Sequence, residues 1–153
     1  MVDMVQPAVT VTPITSAPAR RAAFAIRTAV FVDEQGVDPA VELDAYDHDP
    51  AVVHVLARTG AEPVGTGRLR PVAPTTAKIE RVAVLEPHRR CGIGRRIMAA
   101  LAAQAPQGTS ELILHSQCAV EGFYRTMGYV RDSDVFVEEG IDHVRMRRSL
   151  TGP

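Results

Sequence analysis

The chain is poor in the residues that mark several specialised protein classes. It has no tryptophan, and aromatic residues make up 5% of its 153 positions. Its two cysteines, Cys91 and Cys118, are too few for a disulfide framework, so a reducing cytoplasm is the expected setting. No window approaches the roughly twenty consecutive apolar residues that a membrane-spanning helix needs. Residues 1–12 carry Asp3 and no basic stretch ahead of an apolar run, so no secretory leader is expected. A net charge of -1 and scarce aromatics argue against a basic, stacking nucleic-acid surface. Repeats and low-complexity tracts are missing. What is present is ordinary for a globular chain: 46% hydrophobic and 23% charged residues. A single domain, residues 1–153, with a sizeable core is expected.

Local patterns place the elements. Residues 9–12 alternate weakly and suit an edge strand. Ser16 ahead of Pro18 is a helix start, and Ala22, Ile26, Ala29 and Val30 form a helical stripe ending near Gly36. Residues 33–50 hold seven Asp or Glu and two prolines, which reads as an acidic loop with room for a short helix. Strands are expected around residues 52–56, at 64–72 with breaks at Gly65 and Gly67, at 78–85, and at 112–114. A helix is expected over 119–127, capped by Gly128. Two last strands, 135–137 and 141–146, flank the turn Glu138-Glu139-Gly140. Strands at both ends of the chain, with helices after particular strands, predict a mixed α/β (α+β) sheet.

Against this background the segment Arg89-Arg90-Cys91-Gly92-Ile93-Gly94-Arg95-Arg96 stands out. It packs four arginines and two glycines into eight residues, ahead of the apolar row Ile93, Ile97 and Leu101. Glycine inside a helix costs about 1 kcal/mol relative to alanine. Cations in a first turn oppose the helix dipole by roughly 0.3–1 kcal/mol each. A bound polyanion would offset both penalties, because glycines let amides approach phosphate oxygens and arginines pair with them. A solvated basic turn is the alternative. A Walker-type loop would need Gly-Lys-Ser/Thr, and a dinucleotide fingerprint would need glycine where Ile97 stands. The remaining pattern is Arg-x-x-Gly-x-Gly, at Arg89, Gly92 and Gly94.

With that loop, four further stretches resemble the GNAT superfamily of acetyl-CoA-dependent N-acetyltransferases. Ile79-Glu80-Arg81-Val82-Ala83-Val84 is similar to its central strand. Phe123-Tyr124-Arg125-Thr126-Met127-Gly128-Tyr129 is similar to its Phe-Tyr-x-x-x-Gly-Phe segment. Residues 30–37 and 138–143 resemble a bacterial subgroup that includes ElaA-like and YjcF-like proteins. The likeness spans most of residues 20–148. It departs at Arg90, where the family commonly has glycine, and an ordinary backbone conformation is therefore expected at that position.

The resemblance implies a GNAT fold: a mixed, mostly antiparallel sheet with helices on both faces, split where the strands at 78–85 and 112–114 part. It implies acetyl-CoA as acyl donor, with no metal. Backbone groups of Val82, Ala83 and Val84 would pair with the pantetheine arm. Amides of Arg90, Cys91, Gly92, Ile93, Gly94 and Arg95 would cradle the pyrophosphate, helped by the side chains of Arg89 and Arg95. Gln117 would touch the cofactor. Tyr124 is the expected proton donor to the leaving thiolate, since a phenol of pKa about 10 can serve a thiol of roughly 8.5.

A lysine-like acceptor amine has a pKa near 10.4, so holding it neutral at pH 7 costs roughly 4–5 kcal/mol. Glu80 is the expected base, two residues before Val82; an ion pair with Lys78 or Arg81 is its other reading. His115 is either a second base or a lining residue. The acidic loop and the Glu138-Glu139 turn could draw in a cationic amine or simply be solvated. His88-x-x-Cys91 and His115-x-x-Cys118 repeat a spacing that zinc can use, although Cys91 would then compete with the anion loop. The expected reaction is acetyl transfer to a small-molecule primary amine, with neither nucleic acid nor membrane as partner and a homodimer left open. A non-catalytic acyl-CoA sensor is the alternative.

Overall fold

The computed structural model describes residues 8–150. Its strands are β1 (Val9–Pro13), β2 (Val53–Thr59), β3 (Glu62–Ala73), β4 (Thr76–Val84), β5 (Glu111–Gln117), β6 (Val130–Arg131), β7 (Phe136–Glu138) and β8 (Ile141–Ser149). They form one sheet in the order β1-β2-β3-β4-β5-β8-β6, with β7 also on β8. Every pairing is antiparallel except β4 with β5. The mixed, mostly antiparallel sheet read from the sequence is the one observed.

Helix α1 (Ala17–Arg27) starts as its sequence dictates: the Ser16 side chain accepts from the Ala19 N–H, and proline sits in the first turn. It runs on as a π-helical stretch, Thr28–Glu34, and Gly36 at φ 74° turns the chain away. Ala19, Ala23, Ile26 and Val30 bury their stripe against Leu56 and Ala83. The acidic segment holds a short α2 (Pro39–Glu42) and a 3-10 turn, Ala45–His48.

The other face of the sheet carries α3 (Ile93–Ala103). Ile93, Ile97, Met98 and Leu101 are at most 2% exposed, and they close over Val55, Val64 and Leu69. Gly65 and Gly67 do not break β3, which runs unbroken through them. They are the seat of α3. A Cβ at Gly65 would lie 2.8 Å from Ile97 Cδ1, and one at Gly67 would lie 2.8 Å from Leu101 Cδ1. The helix expected over 119–127 is shorter, a 3-10 turn (Cys118–Val120) followed by α4 (Glu121–Arg125).

Two features open the sheet. First, β4 and β5 pair only from Thr76 opposite Glu111 to Ile79 opposite Leu114. Beyond Ile79, β4 stays on β3 while β5 stays on β8. Second, β4 bulges. Glu80 faces Arg68 and Ala83 faces Thr66, so Arg81 and Val82 together oppose Gly67, and Arg81 takes φ 57°. A bulge bends its strand and increases the local twist, which here turns the far half of β4 away from β5.

Candidate active site

The parted strands bound a cleft of about 780 Å³, within the usual size of a small-molecule site. Val82, Ala83 and Val84 line one wall, and Leu114, His115 and Gln117 line the other. The loop before α3 and the aromatic pair Phe123 and Tyr124 complete it. The β4 edge from residue 80 onward faces this space, and among the described residues no strand pairs with it there. Such an edge offers main-chain donors and acceptors to an extended ligand. One of them is engaged within the protein, since Val84 O accepts from Arg89 Nε at 2.8 Å.

The basic loop ends in an open helix start. Gly92 is the N-cap at φ 81°, and among the described residues no side chain caps α3. The ladder begins with the Arg96 N–H on the Gly92 carbonyl, which leaves the amides of Ile93, Gly94 and Arg95 without an intrahelical acceptor. Arg90 is also left-handed, at φ 65°. The expectation of an ordinary backbone at this position is therefore overturned: the loop makes the turn that glycine would favour, and an arginine bears it. Left-handed residues close together in a tight turn gather N–H groups into an anion-binding hollow. Gly94 has its own reason to be glycine, because a Cβ there would meet Phe123 Cζ at 3.3 Å. Arg89 reaches Glu34 at 2.5 Å, and Arg95 donates to Thr126 Oγ1 at 2.8 Å. Both guanidinium groups thus flank the loop and are held by exposed side chains. Cys91 is exposed beside them.

Tyr124 is half-buried in the wall, edge-on to Phe123 at 5.0 Å and to Tyr129 at 6.2 Å. Burial, and secondarily the neighbouring Tyr129, push its phenol up to about 12. At neutral pH it is a protonated donor facing the cleft. Gln117 donates to Gln35 Oε1 at 2.9 Å, tying the end of β5 to the π-helical stretch across the cleft.

Glu80 also lines the cleft, in strongly cationic company. Arg70 Nε donates to its Oε1 at 2.7 Å, Arg68 Nη2 lies at 3.3 Å and Lys78 Nζ at 3.5 Å. Burial alone would raise its pKa, but the Arg70 hydrogen bond and the charges of Arg68 and Lys78 bring it down to about 2. Of the two readings of Glu80, the ion pair describes these contacts, with Arg70 and Arg68 in place of Arg81. A carboxylate held this low is poorly matched to taking a proton near pH 7.

The acidic loop also differs from expectation. Glu42 and Asp47 are at most 2% exposed and hold the buried Arg27, at 2.7 Å in each case. Asp44 and Asp47 hold Arg68, and Arg81 reaches Glu42 and Asp44. These three acids are spent on internal arginines, so they are not free to attract a cationic substrate. Their partners were not visible locally, since Arg27 and Arg68 lie 15 to 24 positions away in the chain. Arg81 itself sits on the bulge, so this network ties the acidic loop to the bend that opens the cleft.

At the far end, Glu138 lies between two imidazoles, His115 Nδ1 at 3.1 Å and His143 Nε2 at 3.6 Å. Phe136 stacks on His143 and meets His115 edge-on. Among the described residues, no three His, Cys, Asp or Glu side chains are grouped to hold a metal, and no helix is long and apolar enough to cross a membrane.

A family model described as an acetyltransferase (GNAT) domain matches residues 25–150. The chain belongs to the GNAT acetyltransferase family and is an acetyl-CoA-dependent acyltransferase. It is 38% identical to the N-acetyltransferase YjcF of Bacillus subtilis over 128 residues, covering 82% of this chain and 89% of the relative. An acyl-CoA N-acyltransferase from Pseudomonas aeruginosa superposes with TM-score 0.78 at 28% identity, covering 93% of this chain and 99% of that one. Escherichia coli ElaA has the same fold, with TM-score 0.82 at 24% identity over 92% of this chain and 99% of its own.

Proposed function

We propose that the protein moves the acetyl group of acetyl-CoA to a primary amine by direct attack in the β4–β5 cleft. The observation that carries this reading is the parting of β4 from β5 after Ile79, beside an uncapped helix start. An unpaired strand edge and an anion hollow lie along one cleft, in the order that an extended arm ending in a diphosphate requires.

The amides of residues 90–95 hold the diphosphate, with Arg89 and Arg95 turning from Glu34 and Thr126 to its oxygens. Val82, Ala83 and Val84 pair along the pantetheine arm, and Gln117 meets the same arm from the β5 wall. The N–H near Val82, beside the bulge, polarises the thioester carbonyl and stabilises the oxyanion that forms there. Tyr124 donates its phenolic proton to the departing thiolate. Glu80 keeps Arg68, Arg70 and Lys78 in place as a fixed negative charge.

The test is release of free thiol from acetyl-CoA across a panel of amines, beside Tyr124→Phe. The expected result is amine-dependent turnover, with kcat reduced ~100-fold or more in the variant and KM for acetyl-CoA little changed. Tight CoA binding without thiol release on any amine would replace the transferase with an acyl-CoA sensor.

A further inference from the structure

We propose that His115 is the group that takes the proton from the acceptor amine, and that Glu138 is the positioning residue that sets its ring for the task. The proposal rests on the transferase reading above and names a residue for its least defined step. His115 stands on β5 just past the point where β4 leaves, and its side chain lines the cleft. Both of its close polar contacts are at Nδ1: Glu138 Oε1 at 3.1 Å and Lys78 Nζ at 3.4 Å. One nitrogen cannot donate to the carboxylate and accept from the ammonium at once. The shorter contact, to a carboxylate that can only accept, puts the proton on Nδ1. Lys78 then turns its charge to Glu80 Oε2, at 3.5 Å. Nε2 is left with its lone pair and without a hydrogen-bond partner among the described residues. A carboxylate on one imidazole nitrogen is the usual device for freeing the other as a base.

Glu138 suits this part. Its pKa is lowered, first by the hydrogen bond from His115, so it is a standing acceptor at neutral pH. It ends β7 beside the two-residue turn Glu139-Gly140, both left-handed, and its Oε2 lies 3.6 Å from His143 Nε2. Phe136 supports both imidazoles. The charged groups around His115 are Lys78 and Glu80 on β4, Glu138 on β7, and His143 and the cross-strand Arg145 on β8. Glu80, already clasped by three cations, leaves this role to His115.

A bound ammonium gives one proton to His115 Nε2, and its freed lone pair forms the C–N bond to the acetyl carbon. The C–S bond then breaks with its electron pair on sulfur. Tyr124 protonates that thiolate, and the second proton shed by nitrogen returns to the phenol through water. His115 releases its proton to solvent, so one proton appears with each amide formed.

Two measurements test this on the full chain. The first is nitrogen NMR of the His115 ring with CoA bound, in wild type and in Glu138→Ala. The proton is expected on Nδ1 in wild type and on Nε2 in the variant, as in free neutral histidine. Nε2–H in the wild type would overturn the proposal. The second compares ethylamine with trifluoroethylamine, which is already neutral at pH 7, in wild type and His115→Gln. A fall in kcat of ~100-fold or more is expected for ethylamine, and only a few-fold change for trifluoroethylamine. Equal losses on both amines, or no loss on either, would contradict it. Calorimetry on the same samples separates the two readings: no heat with acetyl-CoA would remove the transferase account itself.

Discussion

Replacing Asp47 by asparagine should cost far more than an isosteric change usually does. Its carboxylate accepts from Arg27 Nη1 at 2.7 Å and Nη2 at 3.0 Å, from Arg68 Nη1 at 2.9 Å, and from the Asp44 N–H at 2.9 Å. Burial alone would raise its pKa; the Arg27 bonds, the Asp44 amide and the two guanidinium charges instead hold it far below the usual carboxylate range. Arg27 and Arg68 are each 1% exposed. Asparagine would remove a shared counter-charge from both and turn an N–H₂ toward one of the donors. Breaking one partner of a buried ionic group costs about 3–5 kcal/mol, against a typical total stability of 5–15 kcal/mol. At roughly 2–4 °C per kcal/mol for a chain of this size, the midpoint should fall by about 6–20 °C. Urea and thermal denaturation of Asp47→Asn beside wild type measure this directly. Arg68 also holds Glu80, and Asp44 also holds Arg81, so the surviving folded protein should bind acetyl-CoA more weakly. A loss below about 1 kcal/mol, with unchanged acetyl-CoA affinity, would refute the idea that this network supports the bulge.

Other consequences follow from single features. Arg90→Gly removes a side chain from a left-handed position and should stabilise the fold by about 1 kcal/mol in urea titrations; no gain would mean that the φ of 65° carries no strain. Gly67→Ala sets a Cβ 2.8 Å from Leu101 Cδ1 and should destabilise by roughly 1–3 kcal/mol, and an unchanged midpoint would deny that α3 is seated on this glycine. His54 is buried, and burial lowers its pKa to about 4 from the ordinary 6.5. The unfolded chain therefore binds the extra proton first as pH falls below 6.5. Stability should drop by about 2 kcal/mol between about pH 6.5 and pH 5, a slope that His54→Asn abolishes. A persistent slope in that variant would assign it to another group.

The parts of the site legible in the sequence are those built from near neighbours. The Arg-x-x-Gly-x-Gly run followed by Ile93, Ile97 and Leu101 contains its own turn, helix start and buried stripe. The strand at 78–85 ended at Pro87, so the position of the cleft followed once β5 was assigned. The left-handed backbone of Arg90 departs from what its residue type favours because the following helix imposes the turn. Gly65 and Gly67 looked like breaks because the helix that needs them lies some thirty positions downstream. The acids at 42, 44 and 47 read as a substrate-attracting or solvated face for the same reason: pattern within a loop carries no trace of two arginines arriving from α1 and β3. The Glu138 clamp joins β5 to a hairpin 23 positions later, and only the sheet register brings His115, His143 and Phe136 together.

The most direct test follows backbone amide signals while CoA is added to the labelled full chain. The largest shifts should fall on Gly92 to Arg95 and on Val82 to Val84, with Gln117 following and the β1–β2 edge silent. Binding that left those two groups of amides unmoved, or no binding to folded protein, would contradict the placement of the diphosphate and the acyl arm in this cleft.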